Sequence, residues 1–119
     1  MNKFRFLEWT VYKDSQKLYL IIFEIVHILP REYRFEIGAQ LMRAALSVIL
    51  NIAEGGGKES DKDFNRFLDI SLGSLYEVLA GVDTLRITGL LSSEKYQEIY
   101  SLCEVISKQL GGFKKKLKK

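Results

Sequence analysis

A chain of 119 residues fits one domain and can bury a modest core. Apolar residues make up 47% and charged residues 28%, a globular balance that excludes both a disordered chain and one built for lipid. The formal charge of +3 is unevenly spread: six lysines from Lys108 onward face no acid, while the first 107 residues hold 12 basic against 15 acidic side chains. A mildly acidic body with a basic C-terminus points to an acidic partner for that end, nucleic acid or an anionic surface, or to a simple solubilising helix end.

The first helix is expected over about Leu7 to Leu29, stopped by Pro30, the only proline. Ten of the twelve residues from Leu18 to Leu29 are apolar, fewer than the ~20 that a membrane span needs. Glu24 and His27 interrupt the run, and Pro30-Arg31-Glu32 is no small-residue cleavage site, so neither a membrane partner nor a signal peptide is expected. A single cysteine, Cys103, forms no internal disulfide and fits a reducing compartment. The expected location is the cytoplasm.

The second helix is read from about Phe35 to Glu54, ending at Gly55-Gly56-Gly57. Like the first it is apolar on more than one side, Ala44 to Ala53 being broken only by Ser47 and Asn51. A helix apolar all round must be covered all round, which implies a second subunit. The third runs from about Lys62 to Leu90, capped by Ser60 with Asp63 three residues on. Phe64, Leu68, Leu72, Leu75, Leu79 and Val82 form its expected stripe. Gly73 and Gly81 suggest close backbone approach, and Gly89 a stop.

The fourth helix starts at Ser92 or Ser93. Tyr96, Ile99, Cys103, Ile106, Leu110, Phe113 and Leu117 repeat at 3 and 4, an unbroken seam. Gly111 and Gly112 should weaken its far end. The pattern points to an all-α fold, an antiparallel four-helix bundle in one domain (1–119) with a basic tail from about 114 to 119.

Reactive constellations are few. Gly55-Gly56-Gly57-Lys58 lacks the hydroxyl residue that a phosphate loop needs after its lysine, since Glu59 stands there. Glu24 and His27 match the Glu-x-x-His pattern of di-iron bundles, but the chain has one histidine where two copies are required. Cys103 lies on a helix seam as a small core residue. Arg43, Glu54 and Arg66 stand in or beside apolar stretches, as buried ion pairs within or between subunits or as a ligand site. No catalytic residue, cofactor or metal is expected.

One block is more specific. Gln40-Leu41-Met42-Arg43-Ala44-Ala45-Leu46-Ser47 leads into Asn51-Ile52-Ala53-Glu54-Gly55 and Gly57-Lys58-Glu59-Ser60. Phe64-Asn65-Arg66-Phe67-Leu68-Asp69-Ile70-Ser71-Leu72-Gly73-Ser74 and Gly89-Leu90-Leu91 follow. Over nearly the whole chain this resembles the bacterial 23S rRNA intervening-sequence proteins, a four-helix-bundle family. A relative of that fold is the accessory variability determinant of diversity-generating retroelements, which partners a reverse transcriptase. The resemblance implies an up-down-up-down bundle assembled as a homopentameric ring, no enzyme activity, and nucleic-acid binding as the usual suggestion. Its motif falls here on Arg43, Asn51, Glu54, Gly55, Arg66, Gly73 and Ser74, as structural residues. Two departures stand out: Ile49-Leu50 replace a common Pro-Ser, and Met42-Arg43 a common pair of arginines.

The leading expectation is therefore a non-enzymatic oligomer that binds RNA or DNA through phosphates. Its candidate contacts are Lys58, Lys62 and Arg66 near the third helix start, with Lys114, Lys115, Lys116, Lys118 and Lys119 in the tail. The alternative is an interaction adaptor for a nucleic-acid enzyme such as a reverse transcriptase. The lysine tail discriminates the two, because an adaptor would use apolar surface.

Overall fold

The computed structural model describes residues 3–117. Four long helices, with no strand among the described residues, form a rod of 44 × 21 × 21 Å. They are α1 (Thr10–Ile28), α2 (Arg31–Gly56), α3 (Asp61–Ile87) and α4 (Ser93–Lys116). Each packs on its neighbours in sequence, and α4 closes the bundle against α1.

Local chemistry explains most helix ends. Pro30 ends α1, which it cannot continue, and stands as the cap of α2 with an extended ψ of 144°. Ser60 accepts the Asp63 N–H at 3.1 Å, as its spacing predicts, and Ser92 does the same for Lys95 at 3.1 Å. Gly89 adopts φ +80°, and its N–H and that of Leu90 donate to the Arg86 and Leu85 carbonyls. That pair of bonds satisfies the last turn of α3 and needs the left-handed conformation glycine adopts freely.

Two boundaries depart from expectation. The first helix does not run from Leu7: a 3₁₀ turn, Arg5–Glu8, is separated from α1 by extended Trp9, whose ring docks elsewhere in the bundle. α2 begins at Arg31, not Phe35, with one turn of wider π winding over Arg34–Gly38. It ends inside the expected glycine run, with Gly55 and Gly56 still helical and Gly57 as the cap. A β-carbon on Gly55 would lie 2.9 Å from Phe67 Cβ, and one on Gly56 2.9 Å from the Trp9 ring. Close packing explains them.

Every expected seam residue of α4 is buried or packed on the core. In α3 the buried line is instead Phe67, Leu68, Ser71, Ser74, Leu75, Val78, Val82 and Leu85, with Phe64, Leu72 and Leu79 on its flank. The serines are buried because they have partners: Ser71 donates to the Val48 carbonyl at 2.8 Å and Ser74 bonds Ser47 at 2.7 Å. Of the two interior glycines, Gly81 meets Leu41, as close approach requires, while Gly73 faces open space.

Although α2 is long and apolar enough to cross a membrane, Leu41, Ala44, Ala45, Val48 and Ile52 belong to the core shared with its neighbours. Core helices of soluble bundles carry the same composition.

Candidate nucleic-acid interface

Contacts between helices bring the two groups of candidate cations to one end. Lys114, near the end of α4, donates to Asn65 Oδ1 at 3.0 Å and pairs with Asp69, both in the first turns of α3. Trp9 stacks on Phe64 (ring centroids 5.7 Å apart) and lies 4.8 Å from Phe113, so the starts of α1 and α3 meet the end of α4. The end of α2, through Gly56, completes that end.

Lys58, Lys62 and Arg66 are exposed there. The Arg66 guanidinium lies 4.5 Å and the Lys58 ammonium 5.2 Å from the buried Phe67 ring, so both are anchored by cation–π contact with their charge left to solvent. Lys115 and Lys116 are exposed on the last turn of α4, which stays helical through Gly111 and Gly112. Lys118 and Lys119 lie outside the described residues.

Lys114 is placed differently from its neighbours: partly buried, it pairs with Asp69 and Asn65 and ties α4 to α3. The surface is also mixed in charge: Glu54, Glu59 and Asp63 are exposed beside the cations, and Asp61 opens α3. The carboxylates of the first turn suit the helix dipole.

The motif residues divide. Asn51 donates to the Ser47 carbonyl at 2.8 Å and to its hydroxyl at 3.1 Å, joining Ser74 in a polar seam between α2 and α3. Gly55 is buried under Phe64 and Phe67. Arg43, Glu54 and Arg66 form no buried pair within the subunit: all three are exposed, none forms an ion pair among the described residues, and Arg43 donates to Gln40 at 2.8 Å. Gly73, exposed with room around it, packs on nothing.

Other candidate chemistry has plain structural roles. His27 is exposed, stacks on Phe23, and donates through Nδ1 to the Phe23 carbonyl at 2.8 Å. Among the described residues no three His, Cys, Asp or Glu side chains gather as a metal cluster. Burial pushes the Cys103 thiol up to about 12 from 9.0. Raising the pKa of an acid favours its neutral form in the fold, so the stabilisation is whole below pH 9 and is lost as pH rises from there towards 12. At pH 8, the native protein is expected to react with an aromatic disulfide at least tenfold more slowly than the urea-unfolded chain. Equal rates would show an accessible thiolate.

Sequence reading passed over two features at this end. Trp9 was hidden inside an assumed continuous helix, although four apolar side chains (Phe4, Phe6, Leu7 and Trp9) within six residues mark an unusual start. The arm they occupy forms, with α2, a groove of about 470 Å³.

The fold and surface define an all-helical protein of four packed helices. The chain belongs to the 23S rRNA-intervening sequence protein family, whose model matches residues 8–112. Its fold is similar to the crystal structure of a protein of unknown function from the S23 ribosomal protein family of Bacteroides thetaiotaomicron. The two are 24% identical with a TM-score of 0.82, and the match covers 89% of this chain and 99% of that one. No curated protein matches the chain.

Proposed function

We propose that the protein is a non-enzymatic, cytoplasmic homopentamer that binds RNA or DNA through phosphates. In this reading the helices run up-down-up-down and antiparallel. Paired contacts such as Leu41 with Gly81, Ser47 with Ser74 and Gly55 with Phe67 support that, since numbers rise on α2 as they fall on α3. The observation that carries the binding reading is the gathering of Lys58, Lys62, Arg66, Lys115 and Lys116 at one end of the rod. Five such ends on one ring would supply avidity that a single mixed-charge surface lacks.

Assembly rests on the outward apolar residues Leu20, Phe23 and Leu46 of α1 and α2, which solvent alone leaves uncovered. Light scattering after size exclusion should give about five times the 13.7 kDa chain. A monomer at micromolar concentration overturns the ring.

Binding is tested by changing Lys115, Lys116, Lys118 and Lys119 to glutamine, leaving Lys114 to hold α4. The variant should keep the parent's mass, bind RNA and duplex DNA at least tenfold more weakly at low salt, and show a shallower salt dependence. Unchanged affinity would favour the adaptor reading. That second reading draws on the opposite end, where Ile28, Phe35 and Ile87 are 83%, 75% and 69% exposed, an apolar surface suited to a protein such as a reverse transcriptase.

A further inference from the structure

The groove beside the basic end has a composition that phosphate binding does not require. Its apolar floor is Leu50 and Ala53 of α2, and its outer wall is Phe4 on the N-terminal arm. Lys3 and Arg5 stand on the rim, with Lys3 5.9 Å from the Phe4 ring centre. Glu54 supplies the one carboxylate. A volume of about 470 Å³ lies within the range of small-ligand sites.

Three observations bear on what the groove could hold. Phe4 is 56% exposed, although Phe6 and Trp9 already pack the arm against Gly56. Two cations flank it, the combination by which single-stranded nucleic acids are held, bases on aromatic faces and backbone on positive charge. Glu54 would repel a phosphate, but a carboxylate only accepts hydrogen bonds and so suits an exocyclic amine on a base edge.

We propose that this groove takes one unstacked base of a single-stranded nucleic acid, stacked on Phe4, with its phosphate against Lys3 and Arg5 and its amino edge at Glu54. Cytosine fits better than uracil, because it presents a donor where uracil presents a carbonyl. The inference rests on the nucleic-acid reading and sharpens it from charge to base contact. It also places Leu50 in a ligand site, apart from the assembly surface on Leu20, Phe23 and Leu46.

The test uses the full chain and three labelled probes of matched charge: an oligocytidylate, an oligouridylate and a duplex. Phe4→Ala should weaken both single strands at least about fivefold and leave the duplex unchanged, with Phe4→Trp restoring the parent affinity. Glu54→Gln should remove a severalfold preference for cytidine. If Phe4→Ala leaves single-strand binding unchanged, or weakens duplex and single strands alike, the base site is overturned while the phosphate reading stands. A fall in oligomer mass with Phe4→Ala overturns it too, because the groove would then be covered by a second copy. If the parent binds no nucleic acid at low salt, the phosphate reading fails and cytidine 5′-monophosphate is titrated instead. Amide NMR shifts confined to Leu50, Ala53 and Gly56 at millimolar nucleotide keep the base site; none overturns it.

Discussion

Replacing Trp9 with alanine is expected to lower stability by about 3 kcal/mol, the lower end for a large aromatic because its ring is only half-buried. The size of the effect follows from position. This one ring sits at the head of α1, against Gly56 of α2, on Phe64 of α3 and beside Phe113 of α4. Aromatic pairs of this kind add to area burial, and two are lost together. A loss of that size is a large fraction of what a domain of this length holds. Urea unfolding gives the energy. Hydrogen exchange should place the first loss of protection at the helix ends around residues 56, 64 and 113. A loss below about 1 kcal/mol would mean that the remaining aromatics close over the gap.

The second large effect is a contrast in sign between two glycines on neighbouring helices. Gly55→Val should cost about 1–3 kcal/mol, because its β-carbon meets Phe67 Cβ at 2.9 Å and the Phe64 ring at 3.0 Å. The first of those atoms is fixed to the α3 backbone and cannot rotate away, so α2 and α3 must separate. Gly73→Ala meets nothing within 4 Å on an exposed helix face, and should stabilise by about 0.5–1 kcal/mol. Thermal or urea midpoints of the two variants should move in opposite directions. Movement in the same direction would show that backbone propensity, not helix spacing, governs both sites.

What could be read from sequence followed how unambiguous each pattern was. The α4 seam alternates 3 and 4 with a large or apolar residue at each step, and all seven positions pack inward. On α3 the expected stripe followed large apolar side chains alone and left the serines out of it. Ser71 and Ser74 instead pull the buried line towards α2, because hydroxyls can go inside where carbonyls and other hydroxyls await them. The break at Trp9 is marked locally only by the crowd of apolar side chains from Phe4 to Trp9, with no proline or glycine, and the ring docks at Gly56. At the candidate site the basic character was legible, but the distribution of roles was not. Lys114 looks like its neighbours in sequence and is separated from them only by Asp69 and Asn65, 45 and 49 residues away. The arm's place beside Glu54 follows from Phe6 and Trp9 packing on Gly56, a contact between residues far apart in sequence.

The hydrogen bonds among Ser47, Asn51, Ser71, Ser74 and the Val48 carbonyl work as an alignment key between α2 and α3. Leucine and valine pack nearly as well one turn along, so an apolar contact alone leaves two long helices free to settle in a neighbouring register. Sliding by one turn would strand the buried Ser71 and Ser74 hydroxyls opposite aliphatic side chains, at about 1–3 kcal/mol each. The wrong register is thereby penalised more than the right one is rewarded. Two serines changed together to alanine would leave a bundle of similar stability that no longer knows which turn of α3 belongs beside which turn of α2.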